Sequence, residues 1–198
     1  MPKRVNADDK LSYICEKAYE ELVHNGVHHF SLNKFIESLN MSKGQFYYYF
    51  KTKEDLIAQA IDTKCYEAFH DCYEHAKTHS TFLEKMVAFF ALFVGERDDR
   101  LIELDRVLKS VFHVYLNVED GAIKQLNTDF YAQIFSYIDA MIEEMVDGGL
   151  IKEEARSLSH SFIATADGMY VHSLMNNDYD MKRYFLDYLT TMDRLLKR

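Results

Sequence analysis

The scarcity of backbone breakers constrains this chain more than any other feature. One proline, Pro2, and seven glycines are spread over 198 residues, so nearly the whole length is free to be helical. A turn-rich sandwich or barrel needs more punctuation than that. Hydrophobic residues make up 48%, which supplies a substantial core and excludes a disordered chain. The length fits one large domain or two small ones at ~100–200 residues each. No apolar run approaches the ~18 residues of a membrane span. Residues 1–9 hold no apolar stretch of the secretory kind. Cys15, Cys65 and Cys72 are odd in number and form no C-x-x-C pair, which argues against a disulfide framework. The expectation is an all-α cytoplasmic protein without membrane partners.

Net charge is −9, a value that argues against nucleic acid until its distribution is read. Residues 1–55 hold eight Lys/Arg and eight Asp/Glu. The acidic excess therefore lies wholly in the C-terminal part, and the N-terminal part remains free to present a locally basic face to phosphate.

The first 55 residues read as short helices with sharp breaks. Leu11, Ile14, Cys15, Ala18 and Leu22 form an amphipathic stripe, ended by Asn25-Gly26. Ser31 is an N-cap for a second helix, whose buried face is Leu32, Phe35, Ile36 and Leu39. After the tight turn Asn40-Met41-Ser42, the S-x-x-Q form of Ser42-Lys43-Gly44-Gln45 predicts a capping box and a third helix. Thr52-Lys53-Glu54-Asp55 then opens a fourth, with acids placed to complement its dipole. From Lys53 on, breaks at 78–81, 95–100, 117–121, 147–149 and 176–178 predict six long helices, this fourth one included, at about 53–77, 81–94, 100–116, 122–146, 153–175 and 180–196. That makes nine helices, with domains at 1–52 and 53–198.

Helices two and three have helix-turn-helix proportions, in which the second helix enters the DNA major groove. Lys43 can pair with phosphate or guanine, and Gln45 can bond adenine. Tyr47 and Tyr48 offer hydroxyls to phosphate, and Lys53 with free N–H groups at the fourth helix start would form an anion site. Gln45 can equally serve its capping box, and Tyr49 can equally pack inward. Phe46 and Phe50 read as core.

The run Ser42-Lys43-Gly44-Gln45-Phe46-Tyr47-Tyr48-Tyr49-Phe50-Lys51-Thr52-Lys53-Glu54-Asp55-Leu56 resembles the signature of the TetR family of transcriptional regulators. Asn25-Gly26-Val27 and Ser31 extend the likeness, which covers residues 8–60. Gln45 departs from the small residue common at its position, and Tyr49 from a frequent histidine. The resemblance implies a DNA-binding domain joined to a helical ligand-binding and dimerising domain, with Ser31, Lys43, Gly44, Gln45, Tyr47, Tyr48, Tyr49 and Lys53 at DNA. It implies a homodimeric regulator, more often repressor than activator, released from a palindromic operator by an unknown small-molecule effector.

For the effector pocket the expected lining is Tyr66, Phe69, Tyr73, Phe89, Phe93, Phe112, Met141 and Asp167, since aromatic and methionine-rich cavities hold apolar or planar ligands. For the dimer interface it is Phe162, Met169, Tyr170, Leu174, Tyr184, Phe185, Tyr188 and Met192, a stripe over the last two helices. Burial inside one chain explains part of that stripe equally well. No cofactor or metal is expected, although His70, Cys72, His75 and His79 share one helix end at metal-ligand spacing. Two rival functions stay open. One is an architectural nucleoid or division protein on the same fold; the other is a small helical enzyme using Asp167 and His172, at a spacing that shares a helical face poorly.

Overall fold

The computed structural model describes residues 7–94, 98–116 and 121–198. Its helices are α1 (Ala7–His29), α2 (Leu32–Ser38), α3 (Lys43–Tyr49), α4 (Lys53–Ala76), α5 (Phe82–Phe89), α6 (Ala91–Val94), α7 (Asp99–Leu116), α8 (Gly121–Asp147), α9 (Ser159–Met175) and α10 (Met181–Leu196), with a 3-10 helix at Glu153–Leu158. Among the described residues there is no β-strand, only an isolated bridge from Ile151 to Lys197. No helix among them is long and apolar enough to cross a membrane.

The fold is all-α, with ten α-helices described rather than nine. The single helix expected over 81–94 is two, because the chain leaves helical geometry at Phe90 (φ −90°, ψ 27°). Neither glycine nor proline marks that break. The helix expected from 153 begins as the 3-10 turn and becomes α-helical only at Ser159. The breaks expected at 95–97 and 117–120 lie outside the described residues.

The chain forms two compact units, and they do not follow the 52/53 boundary expected from sequence. The first comprises Met1–Tyr66 and Glu103–Asp129; the second comprises Glu67–Ile102 and Phe130–Arg198. Three long helices, α4, α7 and α8, each contribute residues to both.

In the first unit the α1 stripe is buried at Ile14, Cys15, Ala18 and Leu22, alongside Phe35, Ile36, Phe46, Phe50, Leu56, Ile57 and Ile61. Gly26 (φ 70°, ψ 165°) interrupts α1, in a conformation that only glycine adopts without strain. The turn between α2 and α3 is a Schellman motif. Met41 N–H donates to the Ile36 carbonyl (3.2 Å) and Asn40 N–H to that of Glu37 (3.0 Å). Asn40 takes the left-handed conformation (φ 52°) that the motif requires.

In the second unit the core is Phe82, Met86, Phe89, Phe90, Ile138, Met141, Ile142, Met145, Phe162, Ile163, Phe185 and Leu189. Thr81 and Glu84 close a capping box on α5, and the Asp180 carboxylate caps α10 by accepting from Arg183 N–H (3.0 Å). A second Schellman turn ends α8. Leu150 N–H donates to the Met145 carbonyl and Gly149 N–H to that of Val146, with Gly149 at φ 71°.

Candidate functional site

The residues of α3 and its C-cap divide sharply. Phe46 and Phe50 are buried and stack on each other, ring centroids 5.5 Å apart. On the other side Lys43, Gly44, Gln45, Tyr47 and Tyr48 are exposed, Tyr47 to 53% and Tyr48 to 78%. Tyr49 is half-buried, its ring edge-on to Tyr48. Two tyrosines left in water beside a filled aromatic core cost the chain a chance of apolar burial, a cost recovered when a partner covers them.

The capping box at the head of α3 is closed. Gln45 N–H donates to Ser42 Oγ (3.2 Å), and Ser42 N–H donates to Gln45 Oε1 (2.9 Å). The amide oxygen that a bidentate adenine contact requires is therefore already engaged by backbone. Ser31 caps α2 by position, exposed and without a side-chain capping bond, so its hydroxyl stands beside the first turn of that helix.

Two findings at the start of α4 differ from the sequence expectation. Lys53 does not extend freely into solvent. Its Nζ donates to the Phe30 carbonyl (2.7 Å) and lies 5.4 Å from the Phe30 ring centroid, tying α4 to the corner before α2. The first-turn N–H groups are not all free either. Asp55 N–H donates to Thr52 Oγ1 and Thr52 N–H to Asp55 Oδ2, both 3.0 Å. A resident carboxylate thus occupies part of the expected anion site. Its other oxygen, Oδ1, is buried without a hydrogen-bond partner. No spacing rule points to the Phe30–Lys53 bond, which joins a backbone carbonyl to a side chain 23 residues away.

The first unit also holds a titratable group that no motif or spacing singles out. Burial, reinforced by the nearby charge of Asp129, pushes the Asp62 carboxyl up to about 7. Cys15 in the same unit is buried and pushed up to about 12, which makes its thiol inert.

Of the eight expected pocket residues, Tyr66 and Phe112 belong to the first unit and the other six to the second. Phe69 is the hub of that second set, with ring centroids 5.8 Å from Phe89, 6.5 Å from Phe93 and 5.7 Å from Phe130. Tyr73 stacks on Tyr137 at 4.3 Å, and Met141 is buried. Asp167 is half-buried and accepts a hydrogen bond from the Tyr131 hydroxyl (3.0 Å). Burial raises its carboxyl above the usual carboxylate range, against the opposing pull of that bond. Phe130, Tyr131 and Tyr137 complete this cluster; an aromatic count along α8 flags all three, but not which way they face.

The stripe expected at the dimer interface is partly core. Phe162 and Phe185 are wholly buried and Tyr170 is buried. Phe185 meets Phe90 edge-on at 5.0 Å, Phe162 meets Phe82 at 5.8 Å, and Tyr170 meets Phe93 at 5.6 Å. These three are corrected to intrachain packing, because the apolar stripe of α9 and α10 is wide enough to fill the unit's own core. Tyr184 is exposed; Met169, Leu174, Tyr188 and Met192 are half-buried. Met175, Leu186 and Leu195 add exposed apolar surface on the same two helices.

The histidines and cysteine at and just beyond the end of α4 are engaged in other contacts. His70 Nδ1 is bonded to the Tyr137 hydroxyl (3.0 Å), Cys72 is buried and pushed up to about 11, and the His75 and His79 rings lie 5.0 Å apart. No group of three metal-ligating side chains gathers among the described residues. Of the acid–base pair, Asp167 accepts from the Tyr131 hydroxyl, and the His172 ring lies 4.7 Å from that of Tyr179.

Comparison with known proteins places this geometry in context. Residues 14–60 match the family described as bacterial regulatory proteins, tetR family. The chain is 25% identical over 175 residues to the fatty acid metabolism regulator protein of Bacillus subtilis, covering 87% of this chain and 88% of that one. Its fold matches a Saccharomonospora viridis protein solved in complex with choline (TM-score 0.69, 18% identity, 96% of this chain and 100% of that chain). It also matches the transcriptional regulator FadR of Bacillus subtilis in complex with stearoyl-CoA (TM-score 0.59, 23% identity, 89% and 95%).

Proposed function

We propose that this chain, which belongs to the tetR family of bacterial regulatory proteins, is a ligand-responsive transcriptional repressor that binds a palindromic operator as a two-fold dimer. One observation carries the reading: α3 sets an exposed face of Lys43, Gly44, Tyr47 and Tyr48 on a buried base of Phe46 and Phe50. That is the construction a recognition helix needs, with a rigid base and donors directed outward.

Within this reading Tyr47, Tyr48 and Ser31 bond phosphates and hold register, while Lys43 reads base edges. Tyr49 supports Tyr48, and Lys53 positions α4 through Phe30 before it meets phosphate. Exposed Met175 of α9 with Tyr184, Leu186 and Leu195 of α10 form the dimer contact, and two recognition helices reach successive major grooves ~34–36 Å apart. The effector site lies in the second unit around Phe69, Tyr73, Phe89, Phe93, Met141 and Asp167. An effector acts only through its differential affinity for the two spacings of the recognition helices. The relatives solved with choline and with stearoyl-CoA bind very different ligands, so the family alone does not choose the effector.

The test is selection of bound duplexes from a random library, followed by gel-shift titration and sedimentation. A palindromic site bound by a dimer is the expected result. Recovery of no preferred duplex, or a monomer at operator-binding concentrations, would overturn the reading.

A further inference from the structure

Half of the net positive charge open to the helix-turn-helix segment is titratable. Residues 24–53 contain four lysines (Lys34, Lys43, Lys51 and Lys53), one carboxylate (Glu37) and three histidines (His24, His28 and His29). The net charge is therefore +3 with neutral imidazoles and +6 with all three protonated. All of these side chains are exposed except Lys53, which is half-buried. Histidine is the side chain type whose charge changes between pH 5 and 8.

The backbone sets these histidines beside the phosphate contacts proposed above. His29 and Ser31 are the two chain neighbours of Phe30, which is buried. The Phe30 ring lies 5.2 Å from that of Phe35 on α2, and its N–H donates to the Val27 carbonyl (3.3 Å). Its carbonyl accepts from Lys53 Nζ (2.7 Å). The corner between α1 and α2 is thereby held against the start of α4, with His29, Ser31 and the Lys53 ammonium gathered around one residue. That ammonium has three donors, and Phe30 takes one.

Two cations reach this end of α1: Lys53 from α4, and Arg106 from α7, which donates to the Val23 carbonyl (3.2 Å). Of the carboxylates on the adjoining turns, Glu20 pairs with Lys17, Glu21 accepts from the Asn25 amide, Asp55 accepts from Thr52 N–H and Asp105 pairs with Lys109. Glu37, Glu54 and Glu103 are exposed. All of these residues belong to the first unit.

We propose that His29, with His28 beside it and His24 a turn earlier, binds the DNA backbone phosphate as the imidazolium, so that operator affinity rises as pH falls; the proposal rests on the operator-binding reading above. Phosphate favours the charged ring, so the complex takes up protons as it forms. The gain is full on the acid side and fades toward pH 8. Each phosphate neutralised in this way also steepens the fall of log K with log salt by about 0.9. Asp62, in the same unit, exchanges its proton in the same window, and a loss of folding through Asp62 has the same direction.

The experiment measures binding of the full chain to a selected operator and to a duplex of random sequence, at pH 6, 7 and 8 and several salt concentrations. At fixed salt, operator affinity is expected to rise about tenfold from pH 8 to pH 6, with a steeper salt slope at pH 6. His24→Gln, His28→Gln and His29→Gln together should hold that rise within about twofold, and His29→Gln alone should remove the largest share. His29→Lys, which fixes the charge, should tighten binding at pH 8. Asp62→Asn should keep the full rise. Operator affinity independent of pH in the wild-type chain overturns the proposal, as does a rise that survives the triple substitution or one that Asp62→Asn abolishes. Histidines that only stabilise the end of α1 would move the pH dependence of unfolding and leave the salt slope alone, which is equally fatal. An operator bound without pH dependence defeats this inference while the repressor reading stands. Failure to recover an operator defeats the repressor reading, with the random duplex still deciding the role of His29. Absence of all duplex binding at pH 6 and low salt overturns both.

Discussion

The two units use aromatic side chains in opposite ways. In the first, α3 turns Tyr47 and Tyr48 out over a base of Phe46 and Phe50. In the second, Phe69, Phe89 and Phe185 are drawn in, with Phe93 half-buried beside them, and the ring contacts run from helix to helix. An aromatic in a core explains itself by the apolar area it removes from water. One held in solvent on a short helix does not, and its explanation must lie in something outside the chain. The same residue class thus reports stability where it is buried, and at Tyr47 and Tyr48 its exposure asks for a partner.

Truncating the inward rings tests the first half of that contrast and carries the largest effect. Phe46→Ala and Phe185→Ala should each cost about 3–5 kcal/mol in chemical denaturation, because both side chains are fully buried. If Phe185→Ala instead dissociated a dimer without destabilising the chain, the assignment of Phe185 to intrachain packing would be wrong.

The second effect concerns pH. Burial and Asp129 hold the Asp62 carboxyl near 7, far above its value in an unfolded chain, ~3.9. Between those values the folded state carries the extra proton, so stability is full below the unfolded value and falls as pH rises toward 7. Asp62→Asn removes the penalty. It should stabilise the protein at pH 8 by about 1–3 kcal/mol and leave stability at pH 3 nearly unchanged. A gain of equal size at both pH values would assign the effect to packing instead.

Turning to the outward rings, Tyr47→Ala and Tyr48→Ala should each leave unfolding within about 0.5 kcal/mol of wild type. Each should weaken operator binding roughly tenfold, or about 1.4 kcal/mol, uniformly across sequence variants. Lys53→Met joins the two halves of the comparison. It strands the Phe30 carbonyl at a cost of about 1–3 kcal/mol in stability, while Tyr47→Ala has no such cost. Loss of DNA affinity by Lys53→Met at unchanged stability would make Lys53 a simple phosphate contact.

How much of this was legible beforehand follows the range of the interactions. Local chemistry was readable: the α1 stripe, the Gly26 break, the Ser42–Gln45 box and the buried Phe46 and Phe50 depend on residues within a turn or two of each other. The break at Phe90 leaves no such mark, because no glycine or proline stands there. Nor does the Lys53–Phe30 bond, since a backbone carbonyl leaves no mark in a sequence. The α9–α10 stripe was visible, but periodicity reports an apolar face without saying which chain covers it. Phe162, Tyr170 and Phe185 fit a partner or the chain's own core equally by spacing, and their burial within one chain puts them in the core.

Gln45 offers the smallest and sharpest test of the outward face. Its side-chain oxygen accepts from Ser42 N–H, and an adenine-specific contact needs that oxygen to accept from the base amino group while the amide nitrogen donates to N7. With the oxygen held by the capping box, only the donor remains. The N7 acceptor is common to adenine and guanine, so Gln45 should select purine over pyrimidine without separating the two purines. Gln45→Glu keeps the acceptor for the box and removes the donor. Unfolding should then change by less than about 0.5 kcal/mol, while binding to sites randomised opposite α3 should lose its purine preference. Strong discrimination of adenine from guanine by the wild-type chain would mean that the box opens on DNA and that the helix cap is itself part of the reading head.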